Sequence, residues 1–430
     1  MTGKPENDDM KKLAIAVPTY KRPGDIDFFI KTTSFIADYK DVDLLIYDSS
    51  EDDRTESVVK DNNKDRESSE VILCKVPSEI PSNEKLYYIL NDICGEYSYI
   101  WVIHDHTVFK EEAFRFLYES LDGEPDFIYL KMHCPAGLVS CNIREENDRE
   151  KFLYDSAWFL GKIGAAVVRS GSFINGIDWE RYRKKYLSKE LINFSHIGLY
   201  FERLAEMDDP VIRTIEFPRE CFKDTYSFKT LAWNDEMVRI CTECWGSVID
   251  ALPDLYRNKE QVMRTIDEHL ITEYKLLELK ERGLYGFGSY LRYGKWLKKT
   301  FPKVCRKALF ISLLPTGIAR RVFLGDLIKR IDRAEKEGVP VYIYGAGRHG
   351  FECLETLLNN GMDCSGFAVT SLKGNPENIN GYAVKTVDEV LSGNKRALFI
   401  LAIMDIYKDE VMAFLEKKNS EGAGAEYVDY

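Results

Sequence analysis

Short apolar runs alternate with helix-spaced segments through the first 250 residues. Leu13-Ala-Ile-Ala-Val17 is apolar at every position and stops at Pro18, with Pro23 and Gly24 just beyond. A run of that kind fits a strand buried on both faces. From Asp25 to Tyr39 the period changes, and Ile26, Phe29, Ile30, Phe35 and Ile36 recur at helical intervals. Further strands are predicted at Leu44–Tyr47, Val71–Cys74 and Tyr97–Ile103, with helices at Glu84–Cys94 and Glu111–Leu121. The last of these has Glu111 and Glu112 in its first turn, where the helix dipole favours acids. Strands alternating with helices imply an α/β fold whose sheet is mostly parallel and covered on both faces.

The pattern then changes twice. Asn258–Arg282 reads as helix. Between Gly283 and Gly325 there is no Asp or Glu, but there are nine basic residues: Arg292, Lys295, Lys298, Lys299, Lys303, Arg306, Lys307, Arg320 and Arg321. Tyrosines, phenylalanines and Trp296 are interleaved with them. From Val339 a second strand–helix alternation begins. Val341–Tyr344 is a predicted strand, Gly345-Ala-Gly347-Arg-His-Gly350 a glycine-rich turn, and Phe351–Asn360 a helix closed by Gly361. Strands follow at Ser365–Val369 and Ala397–Ile403. Thr386-Val-Asp-Glu389 is a capping box, Ile406–Lys418 a last helix, and the tail from Ser420 is expected to be mobile before an edge strand at Glu426–Val428. The expected domains are residues 1–254, a helical and basic connecting region 255–335, and a small Rossmann-like domain 336–430.

Composition narrows the class. The chain has 430 residues, which implies more than one core. A net charge of −12 argues against a nucleic-acid binder. Ten cysteines without regular spacing read as reduced thiols, and with no apolar leader the chain is expected to be cytoplasmic. Cys241-x-x-Cys244 lacks a partner pair, so zinc is not expected there; His104, His106 and His133 show no zinc spacing either. No apolar run is long enough to span a bilayer. The aromatics, 13% of the chain, are read as core rather than ligand contacts.

Ligands in open parallel sheets bind at the carboxyl ends of the strands. Those ends carry Pro18-Thr19-Tyr20-Lys21-Arg22-Pro23, Asp48-Ser49-Ser50 and His104-Asp105-His106-Thr107. Together with the preceding strands they resemble the inverting, family 2-type glycosyltransferases of the GT-A fold over roughly residues 11–250. The resemblance implies transfer of a sugar from a nucleotide diphosphate donor, UDP above all, to a lipid-linked or cell-surface polysaccharide acceptor. It implies donor contacts from Pro18, Thr19, Tyr20, Arg22, Asp48, Ser49 and Asp105. Lys85, opening the next helix, either neutralises the diphosphate or faces solvent. The family's metal motif, Asp-x-Asp, is reduced here to Asp105 with His106 beside it. Mg²⁺ or Mn²⁺ prefers oxygen ligands, so any metal site at Asp105 and His106 is atypical. The bland alternative is a structural His-Asp-His cluster. The resemblance places the acceptor's general base some 90 to 100 residues later, where His196 and Glu202 stand, with Asp235 as a third candidate. The strand Gly161–Arg169 is expected beside the acceptor, with Gly164 allowing close approach.

Gly345, Gly347 and Gly350 have the strand–turn–helix context of a cofactor-binding turn. The next strand ends in Thr370-Ser371 without an acid, so NAD is not expected. This segment resembles the nucleotide-sugar-binding domains attached to bacterial polysaccharide enzymes. Two other functions are compatible with the residues: a catalytically degenerate GT-A binding or scaffold protein, and a nucleotide-sugar-modifying enzyme working through the C-terminal domain. Residues 283–325 are expected to bring the chain to an anionic membrane surface, the inner face of the cell membrane, with Trp296 and the tyrosines at the interface and Leu309–Leu314 in the headgroup boundary. The alternative is a basic linker. A homo-oligomer is compatible with all of these.

Overall fold

A computed structural model of the chain describes residues 10–64, 66, 70–132, 138, 140–188, 190–224, 234–403 and 405–430. His133 lies outside them. The chain forms two compact units: Met1–Tyr226 with Arg239–Asp267, and Ser227–Val238 with Glu268–Tyr430. The expected boundaries at 254 and 335 fall within these units, and residues 268–335 are in the same unit as the C-terminal sheet.

The first unit is built on an eight-stranded, mostly parallel sheet with helices, consistent with the GT-A-like expectation. Its strands are β1 (Lys11–Thr19), β2 (Val42–Asp48), β3 (Val71–Lys75), β4 (Tyr97–Val102), β6 (Phe127–Lys131), β7 (Asn142–Glu146), β8 (Ala166–Arg169) and β9 (Ile212–Glu216). Their order is β3-β2-β1-β4-β8-β6-β9-β7. β5 (Thr107–Phe109) and β10 (Phe222–Asp224) form a separate antiparallel pair. β1 lies between two parallel neighbours, β2 and β4, and Leu13–Val17 is wholly buried. That explains a strand with no polar alternation. Register sets Thr19 of β1 opposite Asp48 of β2, and Ala16 opposite Val102 of β4. The three predicted ligand segments thus emerge side by side at one edge.

β8 enters antiparallel between β4 and β6. Before it Gly164 takes φ +104°, and a Cβ there would lie 3.2 Å from Ile103 Cγ1. The Trp101 indole donates to the Gly164 carbonyl at 2.8 Å. The close approach expected of Gly164 is thus an approach to the end of β4. The aromatics of this unit are largely core: Phe29, Phe35, Trp101, Phe109 and Phe114 meet edge-on or tilted within 6.2 Å.

The second unit carries a six-stranded sheet ordered β13-β14-β12-β11-β15-β16. These strands are β11 (Val341–Tyr344), β12 (Gly366–Val369), β13 (Asn378–Ile379), β14 (Tyr382–Thr386), β15 (Arg396–Leu401) and β16 (Gly424–Asp429). All pair in parallel except β13 with β14. That hairpin turns on Asn380 (φ 51°) and Gly381 (φ 88°), the Asn-Gly pair that favours such turns. The capping box at Thr386 and Glu389 forms. The tail expected to be mobile is ordered instead. Helix Asp405–Ser420 runs into β16, which pairs along the whole of β15. Tyr430 then stacks on Tyr274, ring centroids 4.7 Å apart, and bonds Thr356 at 2.8 Å.

The glycine turn obeys steric demands. Gly345 has φ +114°, and a Cβ on Gly350 would sit 1.9 Å from the Gly345 carbonyl oxygen. Gly350→Ala must push the turn and helix Arg348–Asn359 apart. It should lower stability by about 1–3 kcal/mol, read as a drop in the thermal midpoint. Gly347→Ala, where a Cβ meets nothing within 4 Å, should not.

Candidate active site

Asp105 is the hub of the strand edge in the first unit, at 3% exposure. One oxygen accepts from Thr19 Oγ1 at 3.0 Å. The other accepts from Arg22 at 3.3 Å and faces His106 Nδ1, also at 3.3 Å. A tight turn makes this possible: Thr107 N–H donates to the His104 carbonyl, and the imidazoles of His104 and His106, the residues before and after the acid in sequence, stack on each other at 4.8 Å. The β5–β10 ribbon holds the far end of the turn. Burial by itself would raise the Asp105 pKa, but His106, Arg22 and Thr19 outweigh it and hold the carboxyl below its ordinary value.

Lys85 is buried where β1 and β2 end. Its ammonium donates to the Thr19 carbonyl at 3.1 Å and to Ser49 Oγ at 2.5 Å. Burial lowers its pKa, while Asp48 and Asp105 act in the opposite direction. Lys85 is therefore not the solvated lysine of the alternative reading. It is a buried cation tying two strand ends together.

Asp48, expected to contact the donor, is fully buried. One of its oxygens accepts from the Ser50 amide (2.9 Å) and hydroxyl (2.6 Å), and the other from Lys75 at 3.1 Å. Asp48 shapes the Ser49–Ser50 turn and stands behind it. Ser50 in turn accepts from the Lys21 amide at 2.7 Å. That bond holds Lys21 at φ 55°, a left-handed conformation costing about 1–2 kcal/mol for a residue with a Cβ.

What reaches solvent is a different set. Tyr20 is 46% exposed, with the Lys21 ammonium 4.8 Å from its ring centre. The side chains of Lys21, Arg22 and Lys75 are each about two-fifths exposed. The edge is thus an exposed ring and three cations, anchored from beneath by two buried acids. Such a surface suits a planar base attached to a diphosphate.

The residues do not fit a hard divalent cation. The His104–Thr107 segment has one carboxylate, and donors from Thr19, Arg22 and His106 already occupy its oxygens. Thr107, in the frame where a second acid would stand, is buried and has no charge. Among the described residues no group of three His, Cys, Asp or Glu side chains is arranged to hold a metal. Cys241 and Cys244 are buried in the helical turn Ile240–Cys244.

The three candidate bases have partners of their own. His196, in helix Ser195–Glu206, is buried, with Nε2 at 3.0 Å from the Gly161 carbonyl. Its burial moves the pKa down to about 4. A carbonyl only accepts, so Nε2 carries the proton and that nitrogen is engaged. Glu202, on the same helix, is buried and held by Tyr186 and Lys185, with Arg181 at 3.8 Å. Asp235 is exposed, paired with Arg282, and belongs to the second unit.

In the second unit a small pocket opens at the ends of β11 and β15. Thr272, Lys275, Glu278, His349, Glu352 and Tyr430 line it, with Ala402 and Ile403. Its charges are paired: Lys275 with Glu278 at 2.8 Å, and His349 with Glu352 at 3.8 Å, while Glu352 also pairs with Arg348, outside the lining, at 2.9 Å. The glycines at 345, 347 and 350 form the turn beside it, and β12 ends at Val369, with the hydroxyl of the next residue, Thr370, 2.5 Å from that of Tyr344.

No family model and no curated protein matches the chain. Solved structures do, at low identity. The mannosyltransferase PcManGT from Pyrobaculum calidifontis, in complex with GDP-Man and Mn²⁺, has a TM-score of 0.39 at 13% identity, over 74% of this chain and 88% of that one. S. aureus TarS, residues 1–349, has 0.38 at 13%, over 70% and 90%. Glucosyl-3-phosphoglycerate synthase from Mycobacterium tuberculosis, with Mn²⁺, UDP and glucosyl-3-phosphoglycerate, has 0.37 at 14%, over 57% and 81%.

Proposed function

We propose that the first unit is a glycosyltransferase domain using a nucleotide diphosphate sugar, UDP-linked, as donor. The observation that carries this reading is the strand edge itself, where Tyr20, Lys21 and Arg22 face outward and Asp105 anchors Arg22 from within. Tyr20 offers a face for the base. Lys21 and Arg22 offer charge to the diphosphate, with Lys75 and Lys85 adding to the positive field. In the inverting reaction an acceptor hydroxyl oxygen bonds the anomeric carbon as the bond to the diphosphate oxygen breaks. The electron pair leaves with the diphosphate, and Arg22 is placed to stabilise that charge. The acceptor's proton passes to a base outside helix Ser195–Glu206, since His196 and Glu202 are both engaged there. The acceptor is a lipid-linked or cell-surface glycan precursor, met at the inner face of the membrane.

Because guanidinium and ammonium groups supply the positive charge, chelation should leave donor turnover unchanged. Turnover in EDTA and in added Mn²⁺ should agree; a strict requirement for Mn²⁺ would show that Asp105 and its neighbours rearrange around a metal. The identity of the donor is tested by thermal shift against a panel of nucleotide sugars. A ligand at a hundred times its dissociation constant adds about 2.7 kcal/mol to stability. A shift with UDP-sugars and none with other nucleotide sugars is expected; no shift with any nucleotide sugar contradicts the reading.

One observation favours a second reading, a scaffold that binds without catalysis. Asp48 is sealed by Ser50 and Lys75, and only one carboxylate remains at the expected metal motif. Binding without turnover under any condition would support it.

A further inference from the structure

We infer that a helical hairpin of the second unit, Phe287–Thr300 and Pro302–Leu313, together with helix Thr316–Phe323, is the face that lies on an anionic lipid bilayer. The residues entering the headgroup boundary are Phe287, Leu291, Phe310, Leu313, Ile318 and Val322. This deepens the membrane-associated part of the proposed function and rests on it; it is independent of the sugar chemistry.

Residues 283–325 are a tenth of the chain. They hold seven of the seventeen exposed large apolar side chains among the described residues. Exposed apolar residues gathered in this way mark an interaction surface rather than chance. Each helix repeats one arrangement. Phe287 and Leu291 are one turn apart, and exposed Lys295 and Lys298 continue the same face. Arg306, Phe310 and Leu313 follow at i, i+4 and i+7, all exposed. Ile318, Arg321 and Val322 do so at i, i+3 and i+4. Tyr285 bonds the Ala308 carbonyl at 3.0 Å, and Tyr290 meets Cys305 at 4.0 Å. These contacts run the two helices antiparallel. Phe287 and Leu291 therefore share one end of the hairpin with Phe310 and Leu313.

The structure also changes which residues do the anchoring. Trp296 is buried at 8% exposure, so it is not the interfacial anchor the sequence suggested. Ile311 and Ser312 are buried too, which leaves Phe310 and Leu313 as the outward residues of Leu309–Leu314. Lys303 pairs with Glu268 at 2.9 Å and Lys307 with Glu273 at 2.5 Å within the unit. Arg320 bonds the Asn360 carbonyl. Lys295, Lys298, Arg306 and Arg321 remain beside the apolar residues, with no acid between Gly283 and Gly325.

Charge selects the occupant. A second copy of the chain docked symmetrically here would set these cations against themselves. An anionic bilayer complements them. Each Lys or Arg close to such a surface raises partitioning by about fivefold, and apolar side chains in the boundary add to it.

The test uses the full chain and co-sedimentation with vesicles of phosphatidylglycerol plus phosphatidylcholine, against phosphatidylcholine alone. The wild type should pellet with the first and not the second. Leu291→Ser, Phe310→Ser, Leu313→Ser and Ile318→Ser combined should lower partitioning by more than about tenfold, as should Lys295→Ser, Lys298→Ser, Arg306→Ser and Arg321→Ser combined. All eight positions are solvent-facing or rim residues, and unchanged thermal unfolding verifies the fold. If the wild type fails to pellet with anionic vesicles, the membrane reading and this inference both fall. If the wild type pellets and the apolar variant pellets equally, the membrane reading stands and this face is wrong. If the apolar variant instead converts a dimer to a monomer with vesicle binding intact, the face is a contact between copies and the inference is overturned.

Discussion

Asp105→Asn is expected to reduce sugar transfer by about 10²- to 10³-fold, the scale on which a single preorganised charge-stabilising contact acts. The substitution keeps the shape of the side chain and removes its charge. Arg22 and His106 then face a neutral amide oxygen in place of the carboxylate, and the amide nitrogen cannot accept from Thr19. The loss should appear mainly in kcat, because Tyr20 and Lys21 still hold the nucleotide. Arg22→Ala should weaken both nucleotide affinity and kcat, since it removes the contact itself. Wild-type turnover in Asp105→Asn would mean that this acid does not organise the diphosphate side of the site.

The second large effect is on stability and comes from His196. Its pKa is about 4 in the folded chain, against 6.5 ordinarily, because the ring is wholly desolvated. A folded pKa below the unfolded one means that the unfolded chain takes up a proton the folded chain refuses. Stability is then constant above about pH 6.5, falls as pH drops towards 4, and levels off below that. The full difference is about 3 kcal/mol. Asp105 has its pKa depressed, so its contribution is present above the ordinary carboxylate value and is lost at still lower pH. The two windows therefore separate. Denaturant unfolding at neutral pH and near pH 4.5 should differ in the wild type and much less in His196→Gln. Equal slopes in both proteins would place the proton uptake elsewhere.

The architecture was readable where a physical signal is local. The apolar run Leu13–Val17 announces a central parallel strand because both its faces are covered. Thr386 and Glu389 announce a helix start because both partners lie within four residues. Asn380-Gly381 carried an equally local hairpin signal that the strand–helix reading passed over. β7, Asn142-Ile-Arg-Glu-Glu146, has no apolar period at all. It is an edge strand formed by pairing with β9, and its charges suit an edge.

The candidate site was readable as a location but not as a division of labour. Strand-end position singled out Thr19, Tyr20, Arg22, Asp48 and Asp105. Whether an acid faces the ligand or stands behind the surface depends on partners brought in by register. Lys75 seals Asp48 because β2 and β3 align those two residues. No spacing within either strand could reveal that. Trp296 misled for a related reason. An amphipathic helix shows which face is apolar, but a polar or amphipathic side chain near its rim is buried or exposed according to the next helix over.

The central claim is that the edge formed by Tyr20, Lys21 and Arg22 binds a nucleoside diphosphate. Isothermal titration of UDP into the full chain, in EDTA, tests it most directly, with Tyr20→Ala combined with Arg22→Ala as the comparison. Both side chains are partly exposed, so the fold should survive their loss. The account predicts saturable binding to the wild type that disappears in the double variant. Undiminished UDP binding by the folded double variant would contradict it.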